Sequence, residues 1–402
     1  MTNCLIIGKV WPEPTSTAAG RRTYDVITAL QLGCWQIHFA STAQRGDHAL
    51  DLEAIGVTTH EITVNDAAFD PWVEALAPQV VIFDRFMTEE QFGWRVAQHC
   101  PEALRVLDTS DLHCLRFARE QAFKSGEALN LKNEIALREI AAIYRSDLTL
   151  MISEFEIEIL RDEFGISESL LAYWPFFLEL SNGRVLFENR KDFILIGSFL
   201  HPPNLDAARW CKAKIWPLIR QQLPEAELHC YGSYSDRYAA ELHSPKNGFH
   251  FKGRAEDALA TMSRYRVNLA PLRYGAGLKG KVFDGFQTGT PTIMTPIAAE
   301  GICMNLDWGH TAAEDFATAA LQLYREPDAW RIRQCEERSL CRDRFNSTDW
   351  LSRLVTIIQC VIGERFQRRE QNFIGQMLRH HQHRSTEFMS RWIEYKNKQH
   401  KR

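Results

Sequence analysis

Residues 269–300 read LAPLRYGAGLKGKVFDGFQTGTPTIMTPIAAE, and this stretch decides the fold. Val267–Pro271 (VNLAP) is a short apolar run closed by proline, and Gly275-Ala276-Gly277 supplies the backbone freedom of a sharp strand-to-helix turn, so a helix is expected to start there. Leu278, Val282, Phe283 and Phe286 recur at helical spacing as one apolar face, while Gly277, Lys281, Asp284 and Thr288 fall on the opposite stripe. Gly289-Thr290-Pro291 stops the helix, and Pro291–Thr295 (PTIMT) reads as a buried parallel strand. Together these parts form a βαβ unit whose ligand end is the glycine loop.

That loop suits an anion. Free N–H groups at a helix N-terminus carry about half a positive charge, Gly275 and Gly277 have no side chain to block a phosphate, and Lys279 and Lys281 add full charges. Asp284, further along the helix, could accept hydrogen bonds from the vicinal hydroxyls of a ribose or sugar. The same residues also describe a glycine turn between packed elements with a solvated Lys–Asp face, and the stretch alone leaves both readings open.

The order of the parts resembles the donor-domain signature of the retaining nucleotide-sugar glycosyltransferases of the GT-B fold, the family-four or "group 1" type. The matching parts are a strand ending Ala-Pro-Leu, a GAG-x-K-x-K loop, an acidic helix residue, then G-x-P and a Thr-Pro strand end. The resemblance implies an α/β fold of two Rossmann-like domains with parallel sheets facing across a cleft. It gives Asp284 the ribose, and Gly275, Ala276, Gly277, Leu278, Lys279 and Lys281 the diphosphate, with Lys279, Lys281 and Asp284 as catalytic groups. Many members carry two acidic residues eight positions apart; here the later is Asp284 and the earlier position holds Ala276.

Upstream, Phe193–Gly197 (FILIG) is another strand with a glycine-led loop, Ser198–Asn204, before a helix. Two such loops in one chain argue for two nucleotide-fold halves. By resemblance Gly197 and Ser198 meet the diphosphate from the other side. Glu227–Tyr231 is a strand ended by Gly232-Ser233, and Gly253-Arg254-Ala255 follows the strand at Gly248–Lys252, where the family's loop touches the nucleobase. Gly232, Gly253, Arg254 and Ala255 therefore join the expected donor site.

The first half opens with strand Cys4–Gly8, a loop WPEPTSTAAGRR, and a helix over Ala18–Leu32. Thr17, Ala18, Ala19 and Gly20 could present N–H groups and Arg21 and Arg22 charges, or the arginines simply decorate a helix start. By resemblance the loop faces the cleft near phosphate and acceptor. Strands follow at Trp35–Ala40 and Gln79–Phe83, the latter ending in Asp84-Arg85, which line the cleft or pair with neighbours as structure, with Thr88 as cap of the next helix. Arg105–Leu107 leads into DTSDLHCLRFARE, whose Asp108, Asp111 and His113 make the most chemical-looking strand end of this half. His113 reads from its neighbours as a packed residue or a reactive one. The resemblance places it against the donor sugar, with Asp111 as its orienter or the helix cap. The run Asp147, short strand, Ser153-Glu154 also matches the family near the end of the first domain.

The expected domains are 1–178 on the acceptor side, a linker at 179–192, a donor domain at 193–345, and a helical basic tail at 346–402 packed partly on the first domain. The tail carries QRREQ, RHHQHR and YKNKQHKR. It reads as a solvated helix or as a peripheral contact with an anionic membrane surface, with no sustained amphipathic face clear after Arg379.

The 402 residues suffice for two or three domains, and a net charge of −4 gives no global case for nucleic acid. No segment reaches 18 apolar residues, the start MTNCLIIGKV lacks the pattern of a signal peptide, and the ten cysteines show no paired or metal-type spacing, so a cytoplasmic protein with reduced thiols is expected. The expected activity is transfer of a sugar from a nucleotide-diphosphate sugar to a glycan or lipid-linked acceptor, with retention, no metal and no cofactor. The alternatives are a UDP-sugar 2-epimerase of the same fold and a catalytically silent sugar-nucleotide binding subunit.

Overall fold

The computed structural model describes residues 2–180, 186–233, 236–303 and 308–400. The first half is a seven-stranded sheet of β1 (Asn3–Gly8), β2 (Gln36–Ser41), β3 (Thr58–Glu61), β4 (Val80–Asp84), β5 (Leu104–Asp108), β6 (Leu148–Met151) and β7 (Leu171–Tyr173), in the order 3-2-1-4-5-6-7. The second is a five-stranded sheet of β8 (Lys191–Ile196), β9 (Leu228–Tyr231), β10 (Phe249–Gly253), β11 (Tyr265–Ala270) and β12 (Thr292–Met294), in the order 10-9-8-11-12. Every pairing within these sheets is parallel. Strands such as VVIFD are buried at every position because helices cover both faces of a parallel sheet.

Each sheet reverses its winding at its first strand: β1 lies between β2 and β4, and β8 between β9 and β11. Ligands of open α/β sheets gather at such a switch, outside the carboxyl ends of the strands. The two halves present those ends to one another. Leu178 joins them by pairing with the far end of the second half: its N–H donates to Phe345 O at 2.8 Å, and Ser347 N–H donates back to Leu178 O at 3.2 Å. The helix Ser347–Gln371 then returns to the first half, where Trp350, Leu354, Ile358 and Val361 enter the core beside Val26, Leu30 and Trp174.

Three expectations change. The helix of the decisive stretch spans Gly280–Thr288, several residues later than the glycine turn, because Gly275 (φ 149°) and Gly277 (φ 66°) hold positive φ that a right-handed helix excludes. Thr88 is no cap; its hydroxyl donates to Asp84 O and Arg85 O, both at 3.0 Å, inside the helix Phe86–His99. Asp111 does not cap the helix His113–Ser125 either, since the buried Glu139 takes the N–H groups of His113 (3.0 Å) and Cys114 (2.9 Å). The expected linker lies partly at 181–185, outside the described residues, as do residues 401–402 of the tail.

Candidate active site in the cleft

One cavity of about 730 Å³ lies between the carboxyl ends of the two sheets, and most of the expected site residues line it. From the first half come Ala18, Ala19, Arg21, Asp111 and His113; from the second come Gly197, Ser198, Gly232, Arg254, Ala255, Gly275, Ala276, Leu278, Lys279, Lys281 and Asp284.

Its floor is made by two helix N-termini. The helix Ala18–Leu32 and the helix Gly280–Thr288 approach so closely that a Cβ on Gly280 would lie 3.3 Å from the Cβ of Ala18. The N–H groups of Ala18, Ala19, Gly280 and Lys281 have no hydrogen-bond partner among the described residues. Two positive helix ends are thus aimed at one space.

The lysines strengthen that field. Lys279 is 7% exposed and donates to Gly277 O at 2.6 Å; Lys281 donates to Asn204 Oδ1 at 2.7 Å. Among the described residues neither meets a carboxylate within ion-pair distance. Burial brings the Lys281 ammonium down to about 8, and also lowers Lys279. A buried ammonium resting on one neutral oxygen is poorly solvated, and an anionic ligand would relieve it. Asp284 is pushed up to about 6 by burial, with Arg21 and Lys281 pulling against the rise, and its carboxylate accepts no hydrogen bond among the described residues.

On the opposite wall, His113 Nδ1 lies 3.1 Å from Asp111 O and 3.3 Å from a Glu139 oxygen, with Phe86 edge-on to the ring. Burial pulls the imidazole pKa down, but the carboxylates of Asp111 and Glu139 more than offset it, so the net shift is upward. Asp111 pairs with Arg116, and despite its burial the neighbouring Arg116, His113 and His201 hold it below the usual carboxylate range. His201 also lines the cavity and is brought down to about 4 by burial and by Arg116, so it is neutral near pH 7.

Several expected residues hold the site without facing a ligand. Gly20 is buried, its N–H donates to Thr17 Oγ1 at 3.0 Å, and a Cβ there would strike the Glu13 backbone at 2.6 Å. Gly232 gives its N–H to Gly253 O at 2.8 Å, and a Cβ on Gly232 would lie 2.1 Å from Gly197 O, so these glycines let the strand ends crowd together. Gly253 does not line the cavity. The Gly277 N–H, expected to be open, donates to Glu156 at 2.7 Å, and a Cβ there would meet the Asp111 Cβ at 2.7 Å. Gly277 therefore serves the close approach of the two halves. Arg22 is buried against Asp108 at 2.7 Å and donates to Trp174 O at 2.7 Å, away from the cavity, whereas Arg85, paired with Asp84 at 2.8 Å, lines it.

Other residues that build the site escaped the sequence reading. Glu156 accepts from Leu112 N–H (3.0 Å) as well as Gly277, and burial with Asp111 nearby raises its pKa. Arg119 reaches across to Gly275 O at 2.8 Å and to Glu300 at 2.6 Å. Arg254, an expected residue, reaches the other way, to Thr15 Oγ1 at 3.1 Å. The only hint was the Ser153-Glu154 motif, but Glu154 instead pairs with Arg344.

The fold is GT-B, two parallel-sheet α/β halves across a cleft. Residues 190–326 match the family described as glycosyl transferases group 1, which with the architecture indicates a glycosyltransferase. Among solved structures, sucrose-phosphate synthase from Thermosynechococcus elongatus is similar at TM-score 0.65 and 13% identity, over 90% of this chain and 100% of that one. HepE from Anabaena, in complex with UDP and glucose, gives TM-score 0.65 and 12% identity over the same shares. A variant of S. aureus TarM, in complex with Fondaparinux, alpha-GlcNAc-glycerol and UDP, gives 0.57 and 12% over 71% of this chain, which spans only 57% of its length. No curated protein matches by sequence.

Proposed function

We propose that the chain transfers a sugar from a nucleoside-diphosphate sugar to a glycan or lipid-linked acceptor, with retention and without a metal or other cofactor. The observation that carries this reading is a buried lysine and a half-buried one, each on a neutral oxygen, between two open helix N-termini. A diphosphate there completes their solvation. Gly197 and Ser198 approach it from β8, Arg254 and Ala255 lie where the base would sit, and Asp284 takes the ribose. In the reaction the bond from the sugar's anomeric carbon to the phosphate oxygen breaks and its electrons stay on the diphosphate. Lys279, Lys281 and the helix ends oppose that charge, an effect of about 3–4 kcal/mol for one well-placed donor elsewhere. The acceptor oxygen joins the same carbon from the same face, and its proton passes to the leaving phosphate oxygen. His113 faces the donor sugar and Asp111 orients it.

UDP-sugars head the donors to test, since UDP accompanies both HepE and TarM. Nucleotide release from UDP-, GDP- and ADP-sugars, with and without acceptor and with chelator, tests the reading. We expect acceptor-dependent release from one base class that chelator leaves intact. Lys281→Ala is expected to lower turnover at least about a hundredfold with the fold retained; turnover within about threefold of the parent removes the lysine from this role.

Placement at the inner face of an anionic membrane extends the proposal. Among the described residues no helix is long and apolar enough to cross a membrane. On the helix Phe373–His400, however, Phe373 and Met377, then Phe388, Trp392 and Tyr395, recur at helical spacing and are 46% to 72% exposed. Ser390 and Glu394, on another face, hold Arg95 of the first half, and Lys396 sits 3.9 Å over the Trp392 ring. An apolar stripe beside basic residues suits an anionic lipid surface. Co-sedimentation with anionic vesicles is expected for the parent and lost in a Phe388→Ser, Trp392→Ser double variant; equal sedimentation of the two contradicts it.

A further inference from the structure

Outside the cleft, three metal-binding side chains converge on the second sheet. His229 on β9 and His250 on β10 are register partners, and Glu227 precedes β9 on the same face as His229. The intervening Leu228 and the following Cys230 point the other way, into the core. Glu227 places one oxygen 2.8 Å from His229 Nε2 and the other 3.4 Å from His250 Nε2, and one donor atom of each residue lies within 4.8 Å of the others. None of the three lines the cleft cavity.

Two details go beyond a chance cluster. His229 Nδ1 lies 2.6 Å from the Tyr265 hydroxyl, itself 3.0 Å from the Tyr231 hydroxyl, and Nε2 lies within hydrogen-bond reach of Glu227 at 2.8 Å, so a cation entering there would replace the Nε2 proton while Nδ1–H donates outward to Tyr265. Outer partners of this kind fix the tautomer of metal-bound histidine. His250 Nε2 is buried and has no hydrogen-bond partner, although it faces the same point. Zinc held at about 2.0–2.1 Å in a tetrahedron needs ligand atoms about 3.3–3.5 Å apart, close to the spacing already present between Glu227 and His250.

We infer that Glu227, His229 and His250 form a site for a divalent transition metal of the zinc type, with Tyr265 as the residue that positions His229. Two imidazoles and one carboxylate favour such an ion over magnesium or calcium, which prefer oxygen ligands. The metal ties β9 to β10. Those strands end in Gly232-Ser233 and Gly253-Arg254-Ala255, so the ion stiffens the wall proposed to face the nucleobase while taking no part in bond making. The site stands independently of the proposed sugar transfer.

The full chain, freed of metal by chelation, is titrated with Co²⁺ while visible absorption is recorded, and then with Zn²⁺. The expected result is uptake of about one Co²⁺ per chain with visible bands, displaced by about one Zn²⁺. His229→Ala with His250→Ala should abolish the bands, and Tyr265→Phe should weaken uptake about tenfold. If the double variant does not fold, as judged by circular dichroism, His250→Gln replaces it. Absence of the bands in the parent, or equal Co²⁺ uptake by the ligand variants, overturns the site.

Discussion

In the first half Arg22 meets Asp108 at 2.7 Å away from the cavity, while on the wall of the cleft Arg85 meets Asp84 at 2.8 Å and Arg116 pairs with Asp111. Across it, Lys279 and Lys281 rest on Gly277 O and Asn204 Oδ1 and meet no carboxylate among the described residues. A buried cation matched by a carboxylate belongs to the architecture, and removing either partner strands the other. A buried cation without such a partner holds free energy that an anionic ligand can release. Arg190 sharpens the rule: it is buried and has no carboxylate, but Thr290 Oγ1, Thr288 O and Tyr265 O surround it, so it does not await a ligand.

The largest effect on stability is expected where a matched pair is broken. Arg22→Ala leaves Asp108 buried without its partner, and should lower unfolding free energy by about 3–5 kcal/mol in chemical denaturation. A loss below about 1 kcal/mol breaks the contrast between the walls.

Next comes the contact that brings the walls together. Gly277→Ala must hold a positive φ, a strain of about 1–2 kcal/mol, and place a methyl 2.7 Å from the Asp111 Cβ. Turnover should fall about tenfold as the halves part, with the melting temperature lowered by only a few degrees. Unchanged turnover would mean that the close approach is dispensable.

How much of this was legible follows from the range of the forces involved. The alternation of strands and helices was readable because period and turn residues are local, and the helix Ala18–Leu32 was placed at its observed ends. Lys279, Lys281 and Asp284 were readable because one short motif carries all three. The start of the helix Gly280–Thr288 was misplaced because the sequence gives no φ values for a glycine pair. Glu156 and Arg119 escaped because their partners, Gly277 and Glu300, lie in the other half of the chain. Arg22 and Arg21 are adjacent and identical in type; only packing sends the first to Asp108 and the second to Asp25 and the cavity rim.

The smallest effect concerns pH. The Lys281 ammonium titrates near 8 in the folded chain and near its ordinary 10.5 when unfolded, so between those values the unfolded chain binds more protons and stability rises with pH. Lys281→Met should flatten this rise in denaturation curves taken across that window; a rise of the same slope in the variant assigns it to another group.

The same protonation bears on the central claim through binding. Calorimetric titration with UDP, GDP and ADP at pH about 7 and about 9.5, on the parent and on Lys281→Ala, reads the diphosphate site directly. The expected result is binding of one nucleotide class by the parent at the lower pH, at least about tenfold weaker at the higher, and weak and nearly pH-independent in the variant. Binding of none of the three by the parent, or equal affinity in parent and variant at both pH values, would contradict a diphosphate held by the two lysines.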